Sequence, residues 1–249
     1  IMASFHGLWS LAGFCGAYTG NFMIRNNISP LNHFMLIASF IIIFSIIVFR
    51  FANRQDGGRA GSPLLILPDA SLLLLGCIAF CGMMCEGCMF YWTGIYFRDV
   101  LQTPKELTAV GFTVFMFCMA AARFTGDFFI RKFGAERTLR ICGALVAIGL
   151  FIAVLFKNIY VVCSGFAFTG IGISIVVPLV YSMAGKHRSI APGLAISAVS
   201  AIGFIGFLAG PPFIGFIAGL AGLQWSFAFI ACMGIILSLL AVKLKVKAV

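Results

Sequence analysis

Long apolar stretches separated by short polar segments run through the whole chain of 249 residues. A transmembrane helix needs about 20 mostly apolar residues, and eight stretches come close to or exceed that length. The predicted spans are residues 3–24, 32–50, 70–97, 108–130, 138–156, 159–184, 192–218 and 225–242. The pattern therefore predicts an all-α polytopic membrane protein.

One connecting segment is longer than the others and differs from them in composition. Residues 53–68 contain the polar, glycine-rich stretches Gln55-Asp56-Gly57-Gly58-Arg59 and Gly61-Ser62-Pro63, which are typical of a flexible linker. We place a domain boundary there, between residues 1–52 and residues 69–249.

The chain carries too few charges to form the surface of a water-soluble domain. Only 10% of its residues are charged, whereas soluble domains have about 25%. The net charge of +10 does not indicate nucleic acid as a partner, because the basic residues form short clusters between spans and no single patch. We expect the lipid bilayer to surround most of the chain.

Four of the nine cysteines recur at helical spacing in the third span: Cys77, Cys81, Cys85 and Cys88. Free cysteine behaves as a small buried hydrophobe, so this stripe predicts close helix packing, with a metal or redox site as the alternative. We expect no disulfide framework, no metal and no cofactor.

Basic residues alternate between the two sides of the predicted spans. One set of loops holds Arg50, Arg54, Arg59, Arg131, Lys132, Arg137, Arg140, Lys186, Arg188, Lys243, Lys245 and Lys247. The opposite set holds only Arg25, Arg98, Lys105 and Lys157. Because cytoplasmic loops carry the excess of Lys and Arg, both termini of this chain are predicted to be cytoplasmic.

Two spans share a pattern of small residues. Residues 10–20 and 200–210 both read S-x-x-G-F-x-G-x-x-x-G, at an offset of 190 residues. Both spans run from inside to outside, so they predict parallel repeats related by an axis along the membrane normal. The alternative is coincidence between two glycine-rich helices, since small residues recur wherever helices pack closely in lipid.

If spans one and two correspond to spans seven and eight, the first repeat lacks four helices at its start. The chain also opens with Ile1-Met2-Ala3-Ser4, already inside an apolar stretch. Both observations predict a fragment of a longer protein.

Glu86 interrupts the otherwise uncharged stretch from Ala70 to Phe97. An ionisable side chain at membrane depth costs ~2.5–3.5 kcal/mol even on lenient scales, and such residues usually face a cavity or a partner. Glu86 is therefore a candidate for a transport or proton pathway. The alternative is a protonated carboxyl that is hydrogen-bonded to a neighbouring helix.

The segment between the fourth and fifth spans resembles the cytoplasmic signature of the major facilitator superfamily. The residues that carry the resemblance, here called the gate motif, are Arg123, Gly126, Asp127, Arg131, Lys132, Gly134 and Arg137. Two departures stand out: Asp127 occupies a position where the family usually has glycine, and Arg131 one where it has aspartate. The carboxylate has moved by one helical turn, which leaves an acid–base pair at spacing i,i+4. We hypothesise that Asp127 takes over a charge-relay role in the inward gate; a solvated basic loop is the alternative for Lys132 and Arg137.

Two further stretches extend the resemblance to essentially the whole chain. Residues 6–13 and 206–215 look like the fifth and eleventh helices of a bacterial inner-membrane branch akin to sugar carriers, and Glu86-Gly87 and Trp92 fit its seventh helix. The resemblance implies a helical bundle with eight of twelve transmembrane helices present, in a bacterial inner membrane and monomeric when complete. Residues 1–52 would then hold the last two helices of the N-terminal bundle, 53–68 a cytoplasmic loop, and 69–249 the C-terminal six-helix bundle.

Polar and aromatic residues inside the spans are the candidates for the substrate and proton pathway. They are Glu86, Tyr91, Trp92, His6, Trp9, Asn21, Ser197 and Ser200. Tyr91 and Trp92 would otherwise serve as interfacial anchors, and the two serines would bond back to their own helix. For His6, close to the start of its span, a solvated or capping role is the alternative.

Kinked and closely packed helices are expected around such a pathway. The candidate kink and packing residues are Pro178, Gly206, Gly210, Pro211, Pro212 and Gly215. Proline removes a backbone donor and bends a helix in lipid, and glycine lets a neighbouring backbone come close.

These features together predict a secondary active transporter that moves a small polar organic solute, with a sugar as one option, by alternating access. No nucleotide-binding motif is present, so we expect proton coupling, with Glu86 as the protonation site. The alternatives are a permease subunit of an ATP-driven transporter and a non-transporting protein with the carrier fold. A membrane enzyme is disfavoured, because His6, His33 and His187 are scattered.

Overall fold

The computed structural model describes residues 2–51 and 68–244, and for residues 2–6 it describes the backbone alone. Its α-helices are α1 (Met2–Arg25), α2 (Pro30–Phe51), α3 (Ala70–Ile95), α4 (Val110–Leu155), α5 (Ile159–Ser174), α6 (Val176–Ala184), α7 (Pro192–Ala221) and α8 (Leu223–Val242). A π-helical turn, Tyr96–Val100, and a 3-10 turn, Lys105–Leu107, connect α3 to α4. No strand occurs in this described part, which confirms the predicted all-α fold. The predicted linker lies almost entirely outside it.

Six helical segments of the described chain are long and apolar enough to cross a membrane. They are Pro30–Phe51, Ala70–Val100, Lys105–Leu155, Ile159–Ala184, Pro192–Ala221 and Leu223–Val242. Met2–Arg25 is helical as predicted but is not among the six, because its glycines, serines, histidine and asparagine lower its apolar content. Lys105–Leu155 has 51 residues, enough for two crossings at 1.5 Å per residue.

Helix α4 consists of two arms that meet at Gly134. This residue has φ +78° and ψ 165°, a conformation that glycine adopts without the steric cost other residues incur. The arms, residues 110–133 and 135–155, correspond to the fourth and fifth predicted spans.

Contacts along α5 show the direction of the first arm relative to that helix. Along α5, Gly170 lies against the backbone of Phe115, and farther on Ile175 lies against Gly126. Both sequences advance together, so the first arm runs parallel to α5.

The second arm runs the opposite way along the same helix. Gly165 meets Gly149, whereas Gly172, farther along α5, meets Cys142. The two arms are therefore antiparallel, as a chain that crosses a membrane and returns must be.

Helices α3 and α7 run in the same direction. Gly206 of α7 approaches the Phe80 carbonyl oxygen of α3, and one turn later Gly210 approaches Met84. These close backbone approaches use the glycines predicted for helix packing.

Helix α1 shares the direction of α3 and α7. Its Gly7 lies against Phe124 and its Gly13 against Met116, so α1 is antiparallel to the first arm of α4. Helix α3 is antiparallel to the same arm, because its Glu86 contacts Arg123 whereas Phe90, farther along α3, contacts Phe112. The parallel direction of α1 and α7 agrees with the orientation proposed for the repeat.

The buried core lies among α3 to α8. Two clusters of buried apolar residues fill it, one around Leu72, Val176 and Leu237 and the other around Phe97, Phe166 and Phe227. Helix α2, in contrast, has no buried residue.

Candidate functional site

A buried ion pair joins the middle of α3 to the first arm of α4. Arg123 Nη2 lies 3.4 Å from Glu86 Oε1, and the two side chains are only 1% and 9% exposed. A charged group in low dielectric is stable only when it is paired or hydrogen-bonded. Glu86 was predicted to face a partner or a cavity, and in the structure it faces a partner, Arg123.

Two further donors of Arg123 reach other helices. Its Nε donates to the Ser174 carbonyl oxygen over 3.0 Å, and its Nη1 donates to the hydroxyl of Ser10 in α1. Ser10 and Ser174 are fully buried. One guanidinium therefore links α1, α3, α4 and the C-terminal end of α5.

Pro178 explains why the Ser174 carbonyl is available. In a continuous helix this carbonyl would accept a hydrogen bond from the backbone nitrogen four residues later, which is the nitrogen of Pro178 and carries no hydrogen. The helix breaks at Ile175, between α5 and α6. Arg123 then donates to the oxygen that the proline leaves without a helical partner.

A proline of α7 also leaves a helical carbonyl without its backbone donor, and this carbonyl faces α3. Pro211 provides no donor for the Phe207 carbonyl, and that oxygen lies 3.0 Å from where a Cβ on Gly87 would stand. Trp92 Nε1 donates to the Pro211 carbonyl over 3.1 Å, and its ring lies against Gly215. Trp92 therefore contacts α7 from α3 through both a hydrogen bond and ring packing.

A cavity of about 1210 Å³ opens at one end of the bundle, between the ends of α3, the first arm of α4, α6 and α8. We call this the basic end. Its polar lining residues are Asp69, Ser71, Asp127, Arg131, Ser182, Lys186, His187, Arg188, Ser189 and Lys243. Asp127 lies one turn from Arg123, and the lining residue Pro178 lies one turn from Ser174. The inner part of the cavity is therefore about 6 Å along these helices from the ion pair.

Asp69 begins α3 at the mouth of this cavity. Its carboxylate accepts from the Leu72 amide over 2.9 Å and from the Ser71 hydroxyl over 2.8 Å, as an N-cap does. It also contacts His187 Nε2 at 2.9 Å, which ties α3 to the segment after α6. The amide and hydroxyl donors, together with His187, lower the pKa of Asp69 below its usual value.

The gate motif is distributed over this end of α4. Gly126 packs against Ile175, and Gly134 forms the break between the arms. Lys132 places its ammonium 5.7 and 5.5 Å from the ring centres of Phe128 and Phe133.

Asp127 and Arg131 both line the cavity. They form no ion pair with each other in the described part of the chain; the ion pair at i,i+4 in this region joins Glu136 to Arg140 at 3.6 Å. Arg137 is exposed. The relay role of Asp127 stays a prediction.

The other predicted pathway residues do not gather around the ion pair. Tyr91 and Trp9 are 58% and 65% exposed. Ser197 is exposed, and Ser200 donates back to the Ile196 carbonyl over 2.8 Å, which is the alternative considered for it.

Two further candidates lie in α1. The Asn21 Oδ1 atom is buried without a hydrogen-bond partner among the described residues. The side chain of His6 lies outside the described part of the chain.

Sequence reasoning missed Ser10 and Ser174 as ligands of Arg123, and it assigned Arg123 to the gate motif alone. A signal for the pairing was present, because Arg123 is the one basic residue inside the eight predicted spans that does not lie at a span end, and Glu86 is its acidic counterpart. The signal for Ser174 was Pro178, four residues later.

Comparison with known proteins agrees with this architecture. The family profile described as the Major Facilitator Superfamily matches residues 75–248. An uncharacterized MFS-type transporter of Yersinia pestis is 29% identical over 233 residues, covering 94% of this chain and 61% of that protein. An uncharacterized transporter of Sinorhizobium fredii is 27% identical, covering 98% and 66%, and the membrane protein MosC of Rhizobium meliloti is 28% identical, covering 96% and 58%.

The chain thus spans about three-fifths of the length of these relatives. The profile match covers well over half of the chain itself and includes both members of the ion pair. On this evidence the protein belongs to the Major Facilitator Superfamily, a family of membrane transporters and not of enzymes.

Proposed function

We propose that the complete protein is a secondary active transporter that moves a small polar organic solute by alternating access, and that Glu86 couples this movement to protons. The observation that carries the proposal is the buried ion pair between Glu86 and Arg123. An intramembrane ionisable pair is costly and is typical of substrate or proton pathways.

The geometry supports a link between protonation and helix position. A proton on Glu86 removes the negative charge that compensates Arg123, and an uncompensated buried charge costs about 3–5 kcal/mol. The hydrogen bonds of Arg123 to Ser10 and to the Ser174 carbonyl, which belong to other helices, would then contribute more to holding the guanidinium. Proton binding would therefore favour a different arrangement of α1, α3 and the α5–α6 break.

The cavity at the basic end supports a solute of modest size. Binding pockets for small molecules measure about 300–1,000 Å³, and this cavity of about 1210 Å³ is somewhat larger than that range. Its hydroxyl, carboxylate and basic groups can hydrogen-bond a polar solute such as a sugar. In the proposal Tyr91, Trp9, Asn21, His6 and Ser197 contribute when the complete protein closes around the solute, and Asp127 acts in the inward gate.

The proposal also covers the setting of the chain. Residues 1–52 would belong to an N-terminal bundle and residues 69–249 to a C-terminal bundle of six helices, in a bacterial inner membrane. The basic end would face the cytoplasm, because the excess of Lys and Arg lies there.

The test uses the complete protein in proteoliposomes with an imposed pH gradient. A thermal-shift screen first identifies a sugar or small organic acid that binds. With Glu86→Gln, we expect accumulation driven by the pH gradient to be lost, while exchange of labelled for unlabelled solute continues, because the uncharged amide cannot release a proton.

Glu106→Gln is the matched control, since Glu106 is an exposed carboxyl in the short turn Lys105–Leu107. It should accumulate solute as the unaltered protein does. Undiminished accumulation by Glu86→Gln would remove Glu86 from the coupling step.

A further inference from the structure

Four cations line the mouth of the cavity, and none of them has a carboxylate partner among the described residues. They are Arg131, Lys186, Arg188 and Lys243. Of the two carboxylates that line the cavity, Asp69 is already engaged by His187 and by the first turn of α3. Asp127 alone cannot balance four positive charges.

These cations come from three separate places in the sequence. Arg131 lies near the end of the first arm of α4, Lys186 and Arg188 follow α6, and Lys243 follows α8. Membrane topology requires basic residues at this end of the bundle. It does not require them to converge on one cavity.

We propose that this mouth binds a phosphate anion, either the headgroup of an anionic phospholipid or a free phosphate monoester. The site lies at the mouth of the cavity proposed above for the solute; it goes beyond the transport function, and anion binding there does not depend on transport. Guanidinium groups bind phosphate through paired N–H donors, and lysine supplies a point charge. Clefts lined by one sign of charge also concentrate ions of the opposite sign.

The inner walls fit a ligand with a polar head at the rim. Leu74, Leu75 and Leu179 line the cavity behind the cations. A phospholipid would place its phosphate among the cations and the beginning of its acyl chains against these side chains, whereas a soluble monoester would occupy the rim alone.

The experiment has two arms, both with the full chain in nanodiscs. In phosphatidylcholine discs, the thermal midpoint is measured against methyl phosphate, with uncharged trimethyl phosphate as the blank. In discs that also contain phosphatidylglycerol, native mass spectrometry counts the lipids retained on the protein. Neither arm requires transport, so the result is independent of Glu86.

The variants are Lys186→Gln and Arg188→Gln, made separately so that one misfolded variant does not end the test. Each should weaken binding about tenfold, since a hydrogen bond to a charged group contributes about that factor. Arg140→Gln is the control, because Arg140 lies at the same end but does not line the cavity.

A response to methyl phosphate that is weakened about tenfold in both variants and kept in the control identifies a site for free phosphate monoesters. Selective retention of phosphatidylglycerol with the same dependence, and no response to methyl phosphate, identifies a headgroup site. The proposal is wrong if neither probe binds, or if Arg140→Gln weakens binding as much as the cavity variants do.

Discussion

Arg123 holds together parts of the chain that are far apart in sequence. Its three nitrogen atoms contact Glu86 of α3, Ser10 of α1 and the Ser174 carbonyl at the end of α5. Removing one member of a buried ion pair leaves the other charge desolvated and uncompensated, which costs more than the pair contributes when intact. The stability of the bundle should therefore depend on both residues together.

A double-mutant cycle tests this dependence. Arg123→Gln should lower the free energy of unfolding by about 3–5 kcal/mol, because Glu86 loses its compensating charge. Combining it with Glu86→Gln should cost less than the sum of the single changes, with a coupling of up to about 3 kcal/mol. Unfolding of the full chain in mixed micelles by a denaturing detergent provides the measurement.

The exposed pair of Glu136 and Arg140 is the control for that cycle. It lies at 3.6 Å with side chains 37% and 50% exposed, and such helical pairs couple by about 0.3–0.5 kcal/mol. Equal coupling in the two cycles would mean that burial adds nothing to the interaction of Glu86 with Arg123.

The ion pair could be predicted only in part from the sequence. Glu86 was expected to face a partner because of its setting among apolar residues. The identity of the partner depends on how α3 and α4 are aligned, and the two residues are 37 positions apart. The hydrogen bond to Ser174 requires the further knowledge that Arg123 lies beside the carbonyl that Pro178 leaves without its helical donor.

Asp69 governs the start of helix α3, and it should do so in a pH-dependent manner. Its pKa is lowered in the folded protein, first by the Leu72 amide and then by Ser71, with His187 contributing. A carboxyl with a depressed folded-state pKa stabilises the fold above its ordinary value near 3.8, and this contribution is lost as the pH falls through the folded-state pKa.

We therefore expect Asp69→Ala to lower the unfolding free energy by about 1 kcal/mol at neutral pH, as loss of an N-cap does. Asp69→Asn keeps a capping oxygen and should cost less. The difference between Asp69→Asn and the unaltered protein should shrink below about pH 4, as followed by detergent unfolding across a pH series. A difference that is constant with pH would show that the charge of Asp69 has no role.

Glycine contacts control how closely helices pack, and Gly149 is the sharpest case. A methyl group there would overlap the Gly165 carbonyl oxygen of α5. Gly149→Ala should therefore destabilise the bundle by about 1–3 kcal/mol, because overpacking forces the helices apart. The thermal midpoint of the purified chain measures the effect.

Gly219→Ala in α7 is the matched control, since no atom lies within 4 Å of the position its methyl group would take. It should be neutral or stabilising by up to about 1 kcal/mol, from helix propensity alone. Equal destabilisation by both changes would contradict a packing role for Gly149.

Helix boundaries were largely predictable, because runs of apolar residues determine them. The third span was predicted at 70–97 and the helix is Ala70–Ile95. The turn between the two arms of α4 was harder to predict from the sequence. A loop of several residues was expected there, whereas a single glycine, Gly134, breaks the helix. The apolar pattern does not reveal which residue takes a positive φ.

At the scale of the whole molecule, successive segments run in opposite directions: α3, the first and second arms of α4, α5 with α6, α7 and α8. Helix α8 is antiparallel to the second arm of α4, because Gly234 lies against Ala147 whereas Ser238, farther along α8, bonds to Arg140. Side-chain and backbone contacts alone establish this alternation, without reference to the basic loops. The distribution of basic residues is an independent indication of the same topology, because loops rich in Lys and Arg alternate along the chain with loops that are poor in them. The two lines of evidence agree on which helix ends lie together, and the basic loops predict that this end faces the cytoplasm.

Cysteine labelling tests both the crossing and its orientation. Lys157 precedes α5, and Ser189 follows α6; both residues are exposed. A membrane-impermeant maleimide should label Lys157→Cys in intact spheroplasts and Ser189→Cys only in inside-out vesicles, because the segment between them crosses the bilayer once and basic loops stay in the cytoplasm. The unaltered protein supplies the background from its nine native thiols.

Lys105→Cys, in the turn before α4, should behave as Lys157→Cys does. Labelling of Lys157→Cys and Ser189→Cys from the same side would contradict the crossing itself, whereas a complete exchange of sides would keep the fold and reverse its orientation.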